Sequence, residues 1–305
     1  MPYLAEKKGF LHEEGLHAEI INFDSGAKMV APLGAGQLDV GSGAWSAGLF
    51  NAVVRGIGLK IVADKATNEA PYDYRVVIVR KALAQSGAIK SFADFKGRKV
   101  GITAPGAGDN SSLGAALATA GLTVKDVERV YLGFPAQLVA LGNGGIDAAF
   151  SAEPDATVAV RQGIAVKFAP YSSFYPRQDT GIILFGTNFI ERHRDTAQKF
   201  MRAYVRALRF YDGSLADGHI TGPNADFIYD ALATLLKVED RSVLKEMIAP
   251  HGNPDGRIDR ASLDKDIAFF KADGDLEGDV APEKLLDSSF VEEAVKELGP
   301  YKPGG

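Results

Sequence analysis

The sequence predicts an α/β protein of two lobes, with mixed, mostly parallel sheets and a helical C-terminal third. Three observations carry that expectation. Short β-rich runs alternate with helical stretches over the first two-thirds of the 305 residues, the pattern that builds helix-covered, largely parallel sheets. A segment recurs: Leu33-Gly34-Ala35-Gly36-Gln37-Leu38-Asp39-Val40 matches Leu141-Gly142-Asn143-Gly144-Gly145-Ile146-Asp147-Ala148 at an offset of 108 residues. After Asn188 the alternation stops and helical periodicity takes over.

In chain order, the candidate strands are Leu16 to Phe23, Leu38 to Gly41, Leu59 to Ala63, Arg75 to Val79, Lys99 to Thr103, Val127 to Leu132, Ile146 to Phe150, Ile164 to Ala169 and Gly181 to Phe185. Each is a short apolar or β-branched run near turn-forming residues. Helical spacing fills Ser25 to Leu33, Ala44 to Val54, Ser111 to Ala120 and Pro135 to Leu141. Asp195 to Tyr211 then sets Phe200, Tyr204, Ala207, Leu208 and Tyr211 on one helical face. Asn224 to Leu236, Val243 to Ile248, Leu263 to Phe270 and Phe290 to Leu298 follow as helices expected to cover the first sheet. Both repeat copies run helix end, Gly turn, strand, helix, Gly turn, strand, and close at Gly56 to Lys60 and Gly163 to Lys167, at an offset of 107 residues. The expected division is lobe I, residues 1–80 plus 181–305, with residues 81–180 inserted as lobe II.

Composition narrows the function. A chain 46% hydrophobic with net charge −5 is neither disordered nor built around a basic field for nucleic acid. No apolar run reaches the roughly 18 residues of a membrane-spanning helix. The absence of cysteine excludes disulfides, thiol catalysis, and cysteine-ligated zinc or iron–sulfur centres. His12 and His17 are five residues apart, not the four a zinc-protease helix needs. The acidic turn from Asp273 reaches Lys284 where a calcium loop closes with a carboxylate. No catalytic residue, metal or cofactor is expected.

In open α/β sheets, ligands sit beyond the carboxyl ends of strands, facing helix N-termini. That places the candidate contacts on strand-to-helix turns. In the first copy they are Ser25, Ser42, Gly43 and Trp45; in the second, Phe134, Gln137 and Glu153. Trp45 reads equally as a ligand wall or a core side chain. Glu153 reads as a ligand group or as the acidic complement of a helix dipole. The loop Thr103 to Ser112, directly after a strand and before a helix, contributes Gly108, Asp109, Asn110 and Ser111. Tyr72, Tyr74, Phe134, Phe174 and Tyr175 are aromatics near the proposed crossover, and Asp179 and Thr180 precede the returning strand.

These residues resemble a family. Pro2-Tyr3-Leu4-Ala5-Glu6-Lys7-Lys8-Gly9-Phe10 through Glu14 to Glu19, Leu33 to Gly41, Gly56 to Asp64, Ile89 to Gly101, Asp126-Val127, Gly145 to Ala149 and Glu153-Pro154 are similar to the substrate-binding proteins of nitrate, sulfonate, taurine and thiamine-precursor type ABC transporters. The likeness covers about residues 1–190. It implies a type II periplasmic binding fold, with two lobes closing on a ligand. The implied function is a monomeric solute receptor, periplasmic or tethered outside the cell. It would carry a sulfonate, aromatic acid or nitrogen heterocycle to a membrane permease. Family members carry an export signal and an opening strand ahead of the Pro2 helix. Neither precedes it here, so the first sheet is expected to lack its founding strand. The alternative is an enzyme related to thiamine-pyrimidine synthesis, but the cysteine-rich motif of that branch is absent.

Overall fold

The computed structural model describes residues 1–23 and 26–302. Helices α1 (Pro2–Lys7) and α2 (Phe10–Glu13) open the chain. Residues 16–23 form no strand, and Ile20 and Ile21 are exposed. The strand expected there does not form because the segment pairs with no neighbouring strand among the described residues, and an extended run is not stable alone. The first repeat copy is α3 (Ala27–Gly34), β1 (Val40–Gly43), α4 (Ala47–Val54) and β2 (Leu59–Glu69). Next come β3 (Arg75–Arg80), α5 (Lys81–Gln85), β4 (Lys99–Ile102), α6 (Gly108–Ala118) and β5 (Glu128–Tyr131). The second copy is α7 (Phe134–Asn143), β6 (Ala148–Ala152), α8 (Asp155–Arg161) and β7 (Ala165–Pro170). Strand β8 (Arg177–Gly186), α9 (Thr187–Arg192) and α10 (Arg194–Asp212) follow, then β9 (Leu215–Ala216) and β10 (His219–Ile220). Helices α11 (Ala225–Leu236), α12 (Arg241–Glu246), α13 (Arg260–Asp273), α14 (Pro282–Leu285) and α15 (Ser289–Leu298) complete the chain.

The C-terminal third is therefore not wholly helical. Asp217 and Gly218, both at positive φ, make the two-residue turn that joins β9 to β10.

The repeat reappears in three dimensions. Gly36 (φ 70°) and Gly144 (φ 80°) make the first turn of each copy, and Gly56 (φ 89°) and Gly163 (φ 69°) the second. These left-handed positions favour glycine, which is why the motif was visible in sequence. The first sheet has the order β1-β8-β2 and the second β5-β4-β6-β3-β7. Each repeat copy thus receives one foreign strand between its own two: β8 between β1 and β2, and β3 between β6 and β7. The chain leaves β2 to enter the second sheet as β3, and leaves β7 to enter the first as β8.

That exchange corrects the expected predominance of parallel pairing. β8 runs antiparallel to β1 and β2, and β3 antiparallel to β6 and β7, leaving, among the described residues, only β4 parallel to its neighbours β5 and β6. The first sheet is antiparallel and the second mixed, so antiparallel pairing outweighs the parallel pairing expected to dominate, because each inserted strand arrives from the other sheet running the opposite way. Residues 75–80, assigned by sequence to lobe I, are hydrogen-bonded inside the second sheet. Such pairing is non-local and leaves no mark on the run itself.

Both inserted strands are buried on two faces. On β8, Ile183 and Phe185 pack under α10 and α15, whereas Ile182 and Leu184 face α4 and α13. On β3, Val77 and Val79 face the α6 side, and Val76 and Ile78 the α7 and α8 side. The alternation follows the strand period of two, and burial on both faces explains the unbroken apolar run.

Candidate functional site

Because β3 runs antiparallel to β6, Arg75 at its start lies beside Ala152 at the end of β6. This is the sheet edge at which β4 and β5 hand over to α6 and α7. The Arg75 guanidinium lies 5.0 Å from the Phe134 ring centroid and 5.6 Å from that of Tyr74, within cation–π range. Its Nε is buried with no hydrogen-bond partner among the described residues. Burial pulls its proton affinity down, but Tyr74, Tyr171 and Asp109 outweigh that and raise it. It stays charged.

Facing it from the first sheet is Lys65. Register shifts between Asp64 and Ala66 interrupt the β2–β8 ladder at this residue, and such bulges re-aim side chains. A methyl group on Gly181 would sit 2.6 Å from Lys65 Cε, so the lysine stem passes over a glycine. The Lys65 amine is pushed down to about 8 by burial and by repulsion from Arg75, against the pull of Asp64. Tyr74 connects the two sides through a 2.5 Å contact between its hydroxyl and Thr180 Oγ1. Thr180 donates to Ala66 O at 3.0 Å, so Tyr74 is the donor in that contact.

Asp109 and Gln137 complete this edge. Asp109 Oδ2 accepts from Thr103 N at 2.7 Å, while its Oδ1 is buried without a partner among the described residues. Burial raises the Asp109 pKa, with Arg75 opposing the shift. Gln137 donates to Leu132 O at 3.0 Å and leaves its Oε1 unpartnered. Buried polar groups without partners are uncommon in proteins.

A second group of candidates converges on a residue absent from the expectations, Asp266 of α13. Its carboxylate accepts from Trp45 Nε1 at 2.8 Å, Tyr175 OH at 2.9 Å, Gln178 Nε2 at 3.1 Å and the Ser111 hydroxyl. Trp45 is 2% exposed and packs in the core with Phe50 and Phe270, the arrangement of a core tryptophan. Burial raises the Asp266 pKa against these donors. The turns expected to face a ligand also touch each other here: Ala47 N donates to Gly106 O at 2.9 Å.

The remaining candidates have local partners. Glu153 accepts from Lys167 Nζ at 2.6 Å and from Thr157 N at 3.0 Å, which makes it a counter-charge and a hydrogen-bond acceptor just ahead of α8. Tyr72 stacks on His251 with ring centroids 4.8 Å apart. Asn110 donates to Ala104 O at 2.8 Å and accepts from Arg129 at 3.2 Å. Gly108 sits 3.9 Å beneath Trp45 O, measured from where a Cβ would stand. Ser42 is exposed, and a Cβ on Gly43 would press on Met29 at 3.0 Å. Ser25 lies outside the described residues.

Sequence reasoning thus named Tyr74, Asp109, Phe134, Gln137 and Thr180 but missed Arg75, Lys65 and Asp266. A signal existed for two of them. Asp64-Lys65 interrupts an apolar strand, and Arg75 opens one, and a charge inside such a run needs a partner or a purpose. Nothing in the helical spacing of residues 260–273 marked Asp266.

Two sheets that exchange strands make up the fold, and comparison with known proteins gives its family. The family model described as NMT1/THI5 like matches residues 1–211, and the chain belongs to that family. A protein of Brucella abortus (strain 2308), whose name describes it only as a binding protein, is 31% identical over 207 residues, covering 66% of this chain and 59% of the relative. The match therefore spans about three-fifths of that curated relative's length. Among solved structures, the alkanesulfonate-binding protein SsuA of Xanthomonas axonopodis pv. citri, bound to MOPS, superposes with TM-score 0.68 at 18% identity, covering 95% of this chain and 92% of that one. The nitrate-binding protein NrtA of Synechocystis PCC 6803 gives TM-score 0.74 at 14% identity, covering 97% and 85%. The desulfurization enzyme DSZB gives 0.69 at 15% identity, covering 98% and 96%. The fold is that of the periplasmic binding proteins, and it carries catalysis in at least one neighbour.

Proposed function

We propose that this protein is the solute receptor of an ABC importer, enclosing a small organic molecule between its two sheets and delivering it to a membrane permease outside the cytoplasm. The observation that carries this reading is the pair of buried polar atoms at the second sheet's edge that have no partner among the described residues, Arg75 Nε and Asp109 Oδ1, on side chains that interact with each other. Aromatic side chains Tyr74 and Phe134 flank it. An aromatic wall beside a few convergent polar groups is the usual make-up of a small-molecule site. The division into a discontinuous lobe and an inserted one, with the β2–β3 and β7–β8 passages as hinges, fits closure around such a ligand. Neighbours whose titles name alkanesulfonate and nitrate binding support a transport role.

The test is to follow bound compounds over time. Native mass spectrometry of the purified protein, followed by incubation with the compound recovered, is expected to return that compound unchanged. Conversion to a product would overturn the receptor reading in favour of an enzyme on the same scaffold.

A further inference from the structure

We propose that the solute carries an anionic group seated between Lys65 of β2 and Arg75 of β3, one cation from each sheet, so that the ligand's charge is what joins the two halves. The inference rests on the receptor reading and names its substrate class: a small organic acid with a flat, stackable body.

The two cations come from opposite sides. Lys65 is lifted out of the β2 ladder by the register shift and passes over Gly181. Arg75 begins the strand inserted in the other sheet. Tyr74 and Thr180 bridge them, with Tyr74 preceding Arg75 and Thr180 preceding Gly181. Without a counter-charge, Lys65 and Arg75 oppose each other, and an oxyanion between them converts that repulsion into two charge-assisted hydrogen bonds. Arg75 Nε is available to donate one of them. Phe134 and Tyr74 beside the guanidinium offer faces on which a planar ligand can stack.

The surrounding charges determine the titration. Lys65 faces Arg75 from β3 and the amino group of Met1 from the start of α1, and has Asp64 beside it on β2. Asp64 is itself held towards its protonated form by burial and by Asp179. Asp109 interacts with Arg75 rather than Lys65. The Met1 amine, lowered to about 5 by burial and by Lys65, is neutral near pH 8. Lys65 is the cationic group on this edge that is part-protonated there, at about 8. An anion favours its charged form, so binding takes up a proton.

The experiment uses matched probes: benzoate with benzamide, benzenesulfonate with benzenesulfonamide, and nicotinate with nicotinamide, titrated by calorimetry into the purified, ligand-stripped chain. At least one acid is expected to bind about tenfold or more tightly than its amide. At pH 8 its binding heat is expected to differ between phosphate and Tris by an uptake of about half a proton, and to lose that difference near pH 6.5. Lys65→Met should abolish the uptake and weaken binding about tenfold, while Lys65→Arg keeps affinity without uptake. Amides binding as tightly as acids, uptake persisting in Lys65→Met, or no acid binding at millimolar concentration would overturn the proposal. A neutral compound that binds without being converted would sink the anion clamp and leave the receptor reading standing. Turnover of any compound would sink the receptor reading itself.

Discussion

Replacing Asp266 with alanine is expected to destabilise the protein by about 2–4 kcal/mol. Four donors converge on this carboxylate: Trp45 Nε1, Tyr175 OH, Gln178 Nε2 and the Ser111 hydroxyl. Tyr175 has a second acceptor in Ser262 O at 3.4 Å, and Gln178 one in Gly108 O at 3.4 Å. Trp45 and Ser111 lose the acceptor they have, and each orphaned donor is worth about 1–3 kcal/mol. Relief of a desolvated carboxylate offsets part of that sum. Asp266→Asn preserves volume but turns one acceptor atom into a donor facing donors, and is expected to cost about 1–3 kcal/mol. Urea unfolding followed by far-ultraviolet circular dichroism measures both variants against the parent. A double variant, Ser111→Ala with Asp266→Ala, should be less destabilised than the two singles added together, because they share one contact. Strict additivity, or an Asp266→Ala variant within about 0.5 kcal/mol of the parent, would refute the idea that this carboxylate ties α13 to both sheets.

Two further outcomes follow from buried groups. Trp45, the only tryptophan, is 2% exposed, so acrylamide should quench its fluorescence poorly in the native protein, and strong quenching would contradict its core position. Asp64 and Asp179 share Thr67 Oγ1, at 3.3 and 2.9 Å. Burial pushes Asp179 up to about 6 and raises Asp64 as well, with Asp179 adding to the latter. A raised carboxyl pKa means the native state holds its proton more tightly than the unfolded chain. The associated stability is therefore complete below the ordinary value near 3.8 and disappears as pH rises through about 6. Asp179→Asn removes that linkage, so its stability relative to the parent should improve between pH 4 and pH 7 by up to about 3 kcal/mol. A difference independent of pH over that range would show that Asp179 is ionised throughout.

Much of the architecture was legible because its signals are local. The Gly36/Gly144 and Gly56/Gly163 turns need left-handed backbone, and a sequence records that need as glycine. The face of α10 carrying Phe200, Tyr204 and Leu208 was visible for the same reason, since helical period alone selects the buried side. Strand order was not legible. Nothing in Arg75-Val76-Val77-Ile78-Val79 states that it pairs with β6 and β7, whose residues lie about 70 to 95 positions later in the chain, so its place in the second sheet and its antiparallel direction could not be read there. The candidate site divided in the same way. Turn residues were nominated by their position after strands, but whether Trp45 or Glu153 faced open space depended on Asp266 and Lys167, partners that only folding brings near.

The proposed receptor holds its solute at Arg75. Arg75→Met keeps the aliphatic stem and removes the charge and its donors. It should be titrated by calorimetry with the acid that the parent chain binds most tightly, and circular dichroism should confirm that its fold is unchanged. The expected result is a dissociation constant at least about a hundredfold higher, the loss that follows from removing a charge-assisted pair in an enclosed site. A dissociation constant within about twofold of the parent value would place the solute elsewhere and contradict the assignment of this edge as the binding site.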